Sequence, residues 1–301
     1  MPVYVQNPDP RSLVERPADD LLAPATRMGA VELLVRDLEA MISFYSDGMT
    51  LEVLEQVGDT AVLGRAGRPI VRMRRMAELP PKKPGQAGLF HTAVLYDDEP
   101  SLAAAVASVA QHAPSAFTGS SDHLYSQAFY FDDPEGNGVE MYADRPRETW
   151  ATEAHGLLKV ATNPLDPNAF LRTHLAQPIA GPPPATLGHV HLQVGDIGVA
   201  RDFYVDALGF EVRSDVGSAL FIAAGGYHHH IAVNTWGTAG AGARAAALGL
   251  GQVNIDLPTD DDVAALQQRL ADHRVDVRHD GAVLRFDDPW GTLIQVGVDA
   301  R

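Results

Sequence analysis

The stretch "FDDPEGNGVEMY" at residues 131–142 occurs a second time in the chain, as "FDDPWGTLIQVG" at 286–297, 155 residues later. A second pair of matching stretches, "VRDLEAMISFY" at 35–45 and "VGDIGVARDFY" at 194–204, is separated by 159 residues. Several motifs that recur at nearly the same separation indicate an internal repeat. The chain of 301 residues is therefore predicted to be a tandem duplication.

Each half of the chain divides again into two units with the order βαβββ. The first unit begins with an alternating strand over 29–37, and the second begins with a strand over 88–96. Units three (187–236) and four (249–299) repeat this order of hydrophobic patterns. A βαβββ unit leaves one face of its sheet bare, so the units are expected to pair. The predicted fold class is α+β, with four tandem βαβββ modules in two domains and curved mixed sheets that enclose a cleft.

The repeats and the prolines set the predicted domain limits. Residues 1–27 form an N-terminal extension, 28–150 hold the first pair of modules, and 186–301 hold the second pair. Residues 151–185 form a helical and proline-rich linker. The prolines of its run "PIAGPPPATLG" (178–188) can neither continue a helix nor donate a backbone hydrogen bond.

Composition narrows the classes of partner. Lysine and arginine number 23 against 39 aspartate and glutamate residues, which gives a formal net charge of −16. This balance disfavours nucleic acid and anionic membrane surfaces, because phosphate binding needs a basic footprint. The absence of cysteine excludes disulfides and thiolate metal sites. No apolar stretch approaches the ~20 residues of a membrane span, and a cytoplasmic protein is expected.

Units open with a strand, an aspartate and a helix that contains Phe-Tyr, or end with an Asp-Pro turn followed by a strand. These features resemble the vicinal oxygen chelate superfamily, which includes glyoxalases, bleomycin-resistance proteins and dioxygenases. Within it, the chain is most similar to two-domain extradiol dioxygenases of the catechol 2,3 type. The resemblance covers roughly residues 28–145 and 186–299. It implies a metal held by histidines that open the first strands of two partner units, and by a glutamate on the last strand of one of them.

The resemblance carries this ligand set over to the two inner units, where the matching residues are His91, Glu140 and His189. The equivalent positions in units one and four hold residues of other types: Ala30, Gln252 and Gln295. In the family's usual arrangement, units three and four supply the whole site. The ligands can meet here only if unit two pairs with unit three and unit one with unit four, within one chain or by exchange between subunits. A distance well over ~5 Å between the two histidine side chains would reject the site, because ligand bonds measure about 2.0–2.2 Å.

Two imidazoles and one carboxylate leave open positions on the opposite side of an ion. This donor set is typical of non-haem Fe(II) centres that react with O₂, and Mn(II) is the alternative ion. The predicted function is ring cleavage of a small aromatic diol by O₂. The resemblance, and not the spacing, implies cleavage next to the diol, and it also favours a homo-oligomer. For each residue taken singly, an ordinary strand histidine or surface glutamate is the competing interpretation.

Four further residues are candidates for proton transfer or for lining the pocket. His123 and Tyr130 lie in the stretch where family members place a histidine and a tyrosine beside the metal, although the histidine spacing matches less closely. In "AAGGYHHHIAVNTW" (223–236), the predicted strand alternation separates His229 from its two neighbours, and His229 matches the family's oxygen-site histidine. His191 shares the face of the metal-binding histidine two residues before it. An aromatic residue of the sheet (Tyr130) and a surface strand histidine (His191) are the alternative interpretations.

Two other functions are compatible with the same scaffold. A glyoxalase-like lyase or isomerase would use Zn²⁺ or Ni²⁺ and usually a second carboxylate ligand, where this chain has Ile70 or Arg72 in unit one and His229 in unit three. A drug-sequestering or other small-molecule binding protein would need no metal. Histidine at the position of the second carboxylate favours the oxygenase.

Overall fold

A computed structural model describes residues 8–175 and 183–298. Short 3₁₀ helices at Pro10–Leu13 and Ala18–Asp20 precede the first module, and a third lies at Arg147–Thr149. The elements of the first two modules and of the connection that follows them are, in chain order: β1 Arg27–Val35, α1 Leu38–Ser43, β2 Glu52–Val57, β3 Thr60–Arg65, β4 Arg68–Arg75, β5 Gly88–Tyr96, α2 Glu99–His112, β6 Phe117–Asp122, β7 Ser126–Asp132, β8 Gly138–Asp144, β9 Asn163–Pro164 and α3 Pro167–His174.

The second half repeats the order of the first. Its elements are β10 Ala185–Gln193, α4 Ile197–Arg201, β11 Glu211–Asp215, β12 Ala219–Ala223, β13 Ile231–Asn234, β14 Gly249–Leu257, α5 Asp260–Asp272, β15 Arg278–His279, β16 Leu284–Asp287 and β17 Leu293–Val298. The helices α1 and α4 each continue into a π-helical turn, at Phe44–Gly48 and Asp202–Ala207. Each module thus has the predicted βαβββ order.

The strands form two mixed sheets across the described ranges. The first sheet has eight strands in the order β15-β16-β17-β14-β1-β4-β3-β2, so it combines modules four and one. The second sheet has nine strands in the order β11-β12-β13-β10-β5-β8-β7-β6-β9, so it combines modules three and two. Antiparallel pairing of β1 with β14 and of β10 with β5 joins the modules. The predicted α+β class and the pairing of module two with module three are confirmed, and this pairing lies within one chain.

The domain limits at 27, 150 and 185 remain a prediction. Each sheet takes one module from each half of the chain, so the two sheets do not coincide with the two halves in sequence. Residues 176–182 of the predicted linker, together with the ends of the predicted first and last segments at 1–7 and 299–301, lie outside the described residues. Within the described residues, no helix is long and apolar enough to cross a membrane.

The repeated aspartate of the opening motif begins the helix in both halves. The side chain of Asp37 accepts a hydrogen bond from the backbone N–H of Ala40, and Asp196 accepts one from Val199. Such N-caps satisfy backbone donors that have no partner within the helix. The aspartate is therefore retained in both copies for a local structural reason.

The repeated tyrosine and the repeated Asp-Pro motif contact each other across neighbouring modules. The hydroxyl of Tyr45 in module one donates to Asp133 in module two at 3.2 Å, and Tyr204 in module three donates to Asp288 in module four at 2.8 Å. All four side chains are buried. Burial raises the pKa of Asp133 to about 6, and backbone N–H groups of its own turn also donate to this carboxyl. Each pair fixes the helix of one module against the turn of the next module in sequence. Within the sheets, by contrast, module one pairs with module four and module two with module three.

Candidate metal centre

Three strands of the second sheet bring one carboxylate and two imidazoles together. Nε2 of His91 on β5 lies 3.0 Å from Oε2 of Glu140 on β8, and Nε2 of His189 on β10 lies 3.4 Å from the same oxygen. The candidate ligand atoms of the three residues all lie within 4.8 Å of one another. The separation is therefore compatible with one shared ion, and the site passes the distance limit set from the sequence.

Strand register explains why these side chains meet. Ala93 on β5 pairs with Glu140 on one side and with His189 on the other, so the three form one row across the sheet. His91 precedes Ala93 by two positions and therefore points to the same face. Because Ala93 carries only a methyl group, the larger side chains can converge above it.

Two glycines permit the close packing of the strands around this row. A Cβ atom on Gly188, the residue before His189, would lie 1.8 Å from the hydroxyl of Tyr142. A Cβ atom on Gly138, at the start of β8, would lie 2.3 Å from the carbonyl oxygen of Phe90. A larger residue at Gly138 would displace the backbone of β5, and one at Gly188 would displace the side chain of Tyr142.

The electrostatics of the cluster suit a cation. His91, Glu140 and His189 are only 7%, 3% and 1% exposed. Burial alone would raise the pKa of Glu140, but the adjacent His189 and His91 hold it well below its usual range. Burial lowers the pKa of His189 to about 4, so its imidazole is neutral at neutral pH. An ionised carboxylate beside a neutral imidazole is the protonation state in which such residues bind metals.

The imidazole nitrogens also lack other partners. Nε2 of His91 and both ring nitrogens of His189 are buried, and none makes a hydrogen bond within the described residues. A buried polar atom without a partner is costly, and a cation coordinated by the two Nε2 lone pairs would remove part of this cost. The donor set and its unpaired nitrogens therefore fit a divalent ion held by His91, His189 and Glu140.

A cavity of about 520 Å³ opens over the cluster. His91, Glu140, His123, Tyr130, His191 and His229 all line it, so the structure brings six of the seven predicted site residues to one cavity. The seventh, His189, is buried beneath it and packs against His229 with ring centroids 4.0 Å apart. Aromatic side chains supply much of the remaining wall: Phe90, Tyr125, Phe131, Phe221 and Trp236.

His123 and Tyr130 form a hydrogen-bonded pair at the edge of this cavity. Nδ1 of His123 lies 2.7 Å from the carbonyl oxygen of Ala161, and Nε2 lies 2.6 Å from the hydroxyl of Tyr130. A carbonyl oxygen only accepts, so Nδ1 carries a proton, and in the tautomer with this single proton Nε2 accepts from Tyr130. Tyr130 pairs with Glu140 in the strand register and therefore lies next to the cluster. The pair can pass a proton from the cavity to His123.

His229 is the end of a second hydrogen-bonded chain. Nε2 of His228 lies 2.9 Å from Oδ1 of Asp144, and Nδ1 of His228 lies 2.7 Å from Nδ1 of His229. Because a carboxylate accepts, Nε2 of His228 donates to Asp144, and in the tautomer with one proton on the His228 ring Nδ1 accepts from His229. This tautomer leaves Nε2 of His229 as an acceptor. Burial also lowers the pKa of His229 well below its usual range, so the ring is neutral at neutral pH.

The strand predicted for the three consecutive histidines is wrong. Residues 224–230 form a loop between β12 and β13, and both Gly225 and Gly226 have positive φ values, 60° and 71°. Without strand alternation, His228 and His229 lie close enough to form a hydrogen bond. Sequence reasoning therefore missed His228 and Asp144, since the only signal was the unusual histidine run itself. Asp144 is 84 residues from His228, and no local pattern connects them.

His191 lies beside the cluster and not within it. Its Nε2 lies 2.9 Å from Nδ2 of Asn234 and accepts a hydrogen bond from it, because the NH₂ group of an amide can only donate. Burial lowers the pKa of His191 well below its usual range, which keeps the ring neutral. Its ring centroid is 4.9 Å from that of His91. These contacts fix the ring as part of the cavity wall.

Comparison with known proteins gives a consistent family match. The family model described as the Glyoxalase/Bleomycin resistance protein/Dioxygenase superfamily matches residues 27–141 and 186–296. A protein of Bacillus subtilis (strain 168) named catechol-2,3-dioxygenase is 33% identical over 271 residues, which cover 88% of this chain and 94% of that protein.

Solved structures with the same fold belong to proteins of more than one activity. A putative dioxygenase from Bacillus subtilis subsp. subtilis str. 168 aligns with a TM-score of 0.64 and 16% identity over 91% of this chain and 86% of that one. Glyoxalase I from Zea mays aligns with a TM-score of 0.58 and 16% identity, over 91% and 92% of the two chains. At such low identity, these similarities establish the fold alone.

Proposed function

The chain belongs to the Glyoxalase/Bleomycin resistance protein/Dioxygenase superfamily, as the sequence predicts, and on this basis we propose that it is an extradiol ring-cleaving dioxygenase. Its substrates would be a small aromatic diol of the catechol type and O₂. The observation that carries the proposal is the buried group of His91, His189 and Glu140 beneath an aromatic-lined cavity. The name of the 33% identical relative supports the same activity.

The proposed resident ion is Fe(II), with Mn(II) as the alternative. His91, His189 and Glu140 would hold it from the sheet side, and the cavity lies on the other side of the cluster. Held by these three residues, Fe(II) would supply open coordination positions for a diol and O₂. The apolar walls at Phe90 and Trp236 would pack against the aromatic ring.

Two acceptors are available for the two hydroxyl protons of the diol. Nε2 of His229 is unprotonated in the tautomer that Asp144 imposes through His228. Tyr130 can accept a proton at its oxygen while it passes its own to Nε2 of His123, because it already donates to that nitrogen. The same groups could later return a proton to the substrate during ring opening. These roles extend the sequence prediction that His229, His123 and Tyr130 handle protons.

The glyoxalase-like alternative has less support from the site. A second carboxylate ligand would be expected near the cluster, but among the described residues the group that could hold a metal contains Glu140 as its single carboxylate. The ring of His229 occupies the neighbouring space. Cytoplasmic location and homo-oligomeric assembly stay predictions of the sequence.

Anaerobic purification, metal analysis and an oxygen-electrode assay with catechol would test the proposal. We expect bound iron, consumption of one O₂ per catechol and a yellow ring-opened product, all lost in Glu140→Gln. A protein that binds zinc or nickel and consumes no O₂ would favour a lyase or isomerase. A protein that binds no metal would favour a small-molecule binding role.

A further inference from the structure

A second cavity, of about 800 Å³, lies on the first sheet at the position equivalent to the candidate metal centre. We call it the second cleft. Asn254 on β14 pairs with Gln295 on β17, as Ala93 pairs with Glu140 in the other sheet. Arg285 on β16 pairs with Gln295 in turn. The second cleft is thus the counterpart of the metal cavity, but with amides and a guanidinium at its centre.

The polar groups at this centre form a connected network. Asn254 is 8% exposed and donates from Nδ2 to the carbonyl oxygen of Ala30, while its Oδ1 accepts from Nε2 of Gln252 at 2.5 Å. Nε of Arg285 donates to Oε1 of Gln295 at 2.9 Å. Because a guanidinium can only donate, this contact fixes the orientation of the Gln295 amide. The NH₂ group of Gln295 therefore faces away from Arg285 and can donate to another partner in the cleft.

The second cleft is positively charged in a chain whose net charge is −16. Two carboxylates line it, those of Glu32 and Asp256, against four arginines: Arg27, Arg68, Arg72 and Arg285. This leaves an excess of two positive charges in the lining.

The ion pairs of the cleft leave its excess positive charge on Arg68 and Arg72. Asp256 lies opposite Arg27 in the strand register, and Glu32, which is the register neighbour of Arg72, forms its ion pair with Arg74. Arg285 is paired with Asp280 at 2.5 Å. Arg68 and Arg72 form no ion pair with any residue in 8–175 or 183–298. A cavity wall with uncompensated guanidinium groups attracts anions.

Apolar side chains form the rest of the floor. Met28, Ile70 and Ile255 are 7%, 0% and 1% exposed and line the same cavity. Such a volume with an apolar floor suits an organic molecule better than a bare inorganic ion. Guanidinium groups bind carboxylates through paired hydrogen bonds. We propose that the second cleft is a binding site for a small organic carboxylate, whose charged end contacts Arg68, Arg72 and the amide of Gln295.

Calorimetric titration of the metal-loaded protein with benzoate, at low ionic strength, tests this proposal. Benzamide, which has nearly the same shape without the charge, serves as the comparison ligand. We expect benzoate to bind one site per chain, and benzamide to bind at least about tenfold more weakly. Arg72→Gln should weaken benzoate binding about tenfold or more, because it removes a charged donor. Arg68→Gln should act in the same direction and covers the case in which the first variant fails to fold.

Two control variants separate the second cleft from other sites. Arg75→Gln alters an exposed arginine on the same strand that does not line the cavity, and should leave benzoate affinity unchanged. Glu140→Gln disrupts the candidate metal centre and should also leave it unchanged. The proposal is overturned if benzoate does not bind, if benzamide binds equally well, or if neither Arg72→Gln nor Arg68→Gln weakens binding. Loss of binding in Glu140→Gln alone would place benzoate in the metal cavity and equally reject the proposal.

Discussion

Replacing Glu140 by glutamine removes the single anionic member of the candidate metal centre and preserves its shape. Glu140 is buried, and its Oε2 is the atom that both Nε2 nitrogens approach, at 3.0 and 3.4 Å. A neutral amide in its place leaves two imidazoles and no charge to compensate a divalent ion. Even changes in residues that only support metal ligands reduce affinity 10- to 100-fold, so the loss here should be at least about 100-fold.

The expected rise in melting temperature on Mn(II) binding follows from the linkage between binding and folding. Mn(II) at 100 times its dissociation constant would stabilise the wild-type protein by about 2.7 kcal/mol. An unfolding entropy of about 2.1 cal/mol/K per residue, over 301 residues, amounts to roughly 0.63 kcal/mol/K. The melting temperature should therefore rise by about 4 °C in the wild type. In Glu140→Gln, the same Mn(II) concentration at most equals the dissociation constant, so the rise should stay below about 1 °C.

Differential scanning fluorimetry with and without Mn(II), combined with metal analysis of the dialysed protein, measures this difference without any assumption about the reaction. Glu32→Gln is the matched control, because Glu32 is a partly buried strand carboxylate on the other sheet. It should retain the full rise. If Glu140→Gln also retains the rise of about 4 °C, Mn(II) binds elsewhere and the candidate centre is rejected.

Four other changes test separate parts of the molecule. Asp144→Asn should lower kcat for catechol 10- to 100-fold with unchanged metal content, since it weakens the chain that orients His229; a kcat within twofold of wild type contradicts this role. Tyr130→Phe should lower kcat about 100-fold in the same assay, because it interrupts a proton path; an unchanged kcat would exclude that path. Burial raises the pKa of Asp133 to about 6, so the contribution of this carboxyl to stability falls as pH rises from about 4 to 6. Denaturant unfolding should show wild type losing about 2 kcal/mol relative to Asp133→Asn over that range, and parallel curves would refute this. Tyr204→Phe should destabilise the fold by about 1–3 kcal/mol in the same measurement but leave the Mn(II)-induced rise intact.

The sequence predicts which modules pair in the sheets because three ligands must share one metal ion. His91 and Glu140 belong to module two and His189 belongs to module three, so a shared ion requires these modules to be adjacent. The hydrophobic pattern alone is compatible with other pairings, because every βαβββ unit has a similar bare face. The ligand arrangement therefore carried topological information that periodicity lacks.

The hydrogen-bonded chain from Asp144 through His228 to His229 could not be predicted, for a different reason. Its geometry depends on a loop with two glycines at positive φ and on Asp144 at the end of β8. Contacts between residues so far apart in sequence are set by the finished fold. The histidine run was visible, but strand alternation gave the wrong relation between His228 and His229.

The two copies of the Asp-Pro motif separate the residues that build the fold from those that supply chemistry. Both copies keep the aspartate that accepts from a buried tyrosine, at Asp133 and Asp288, because this contact fixes one module against the next. Seven residues beyond each aspartate, the strands diverge: one carries Glu140 and the other carries Gln295. This exchange of one oxygen for an NH₂ group removes a negative charge from the second cleft, where Ala30 and Gln252 stand at the positions of the imidazoles and arginines line the wall. A divalent cation and an organic carboxylate need opposite electrostatics, and the duplicated scaffold can provide both because its shape depends on neither residue.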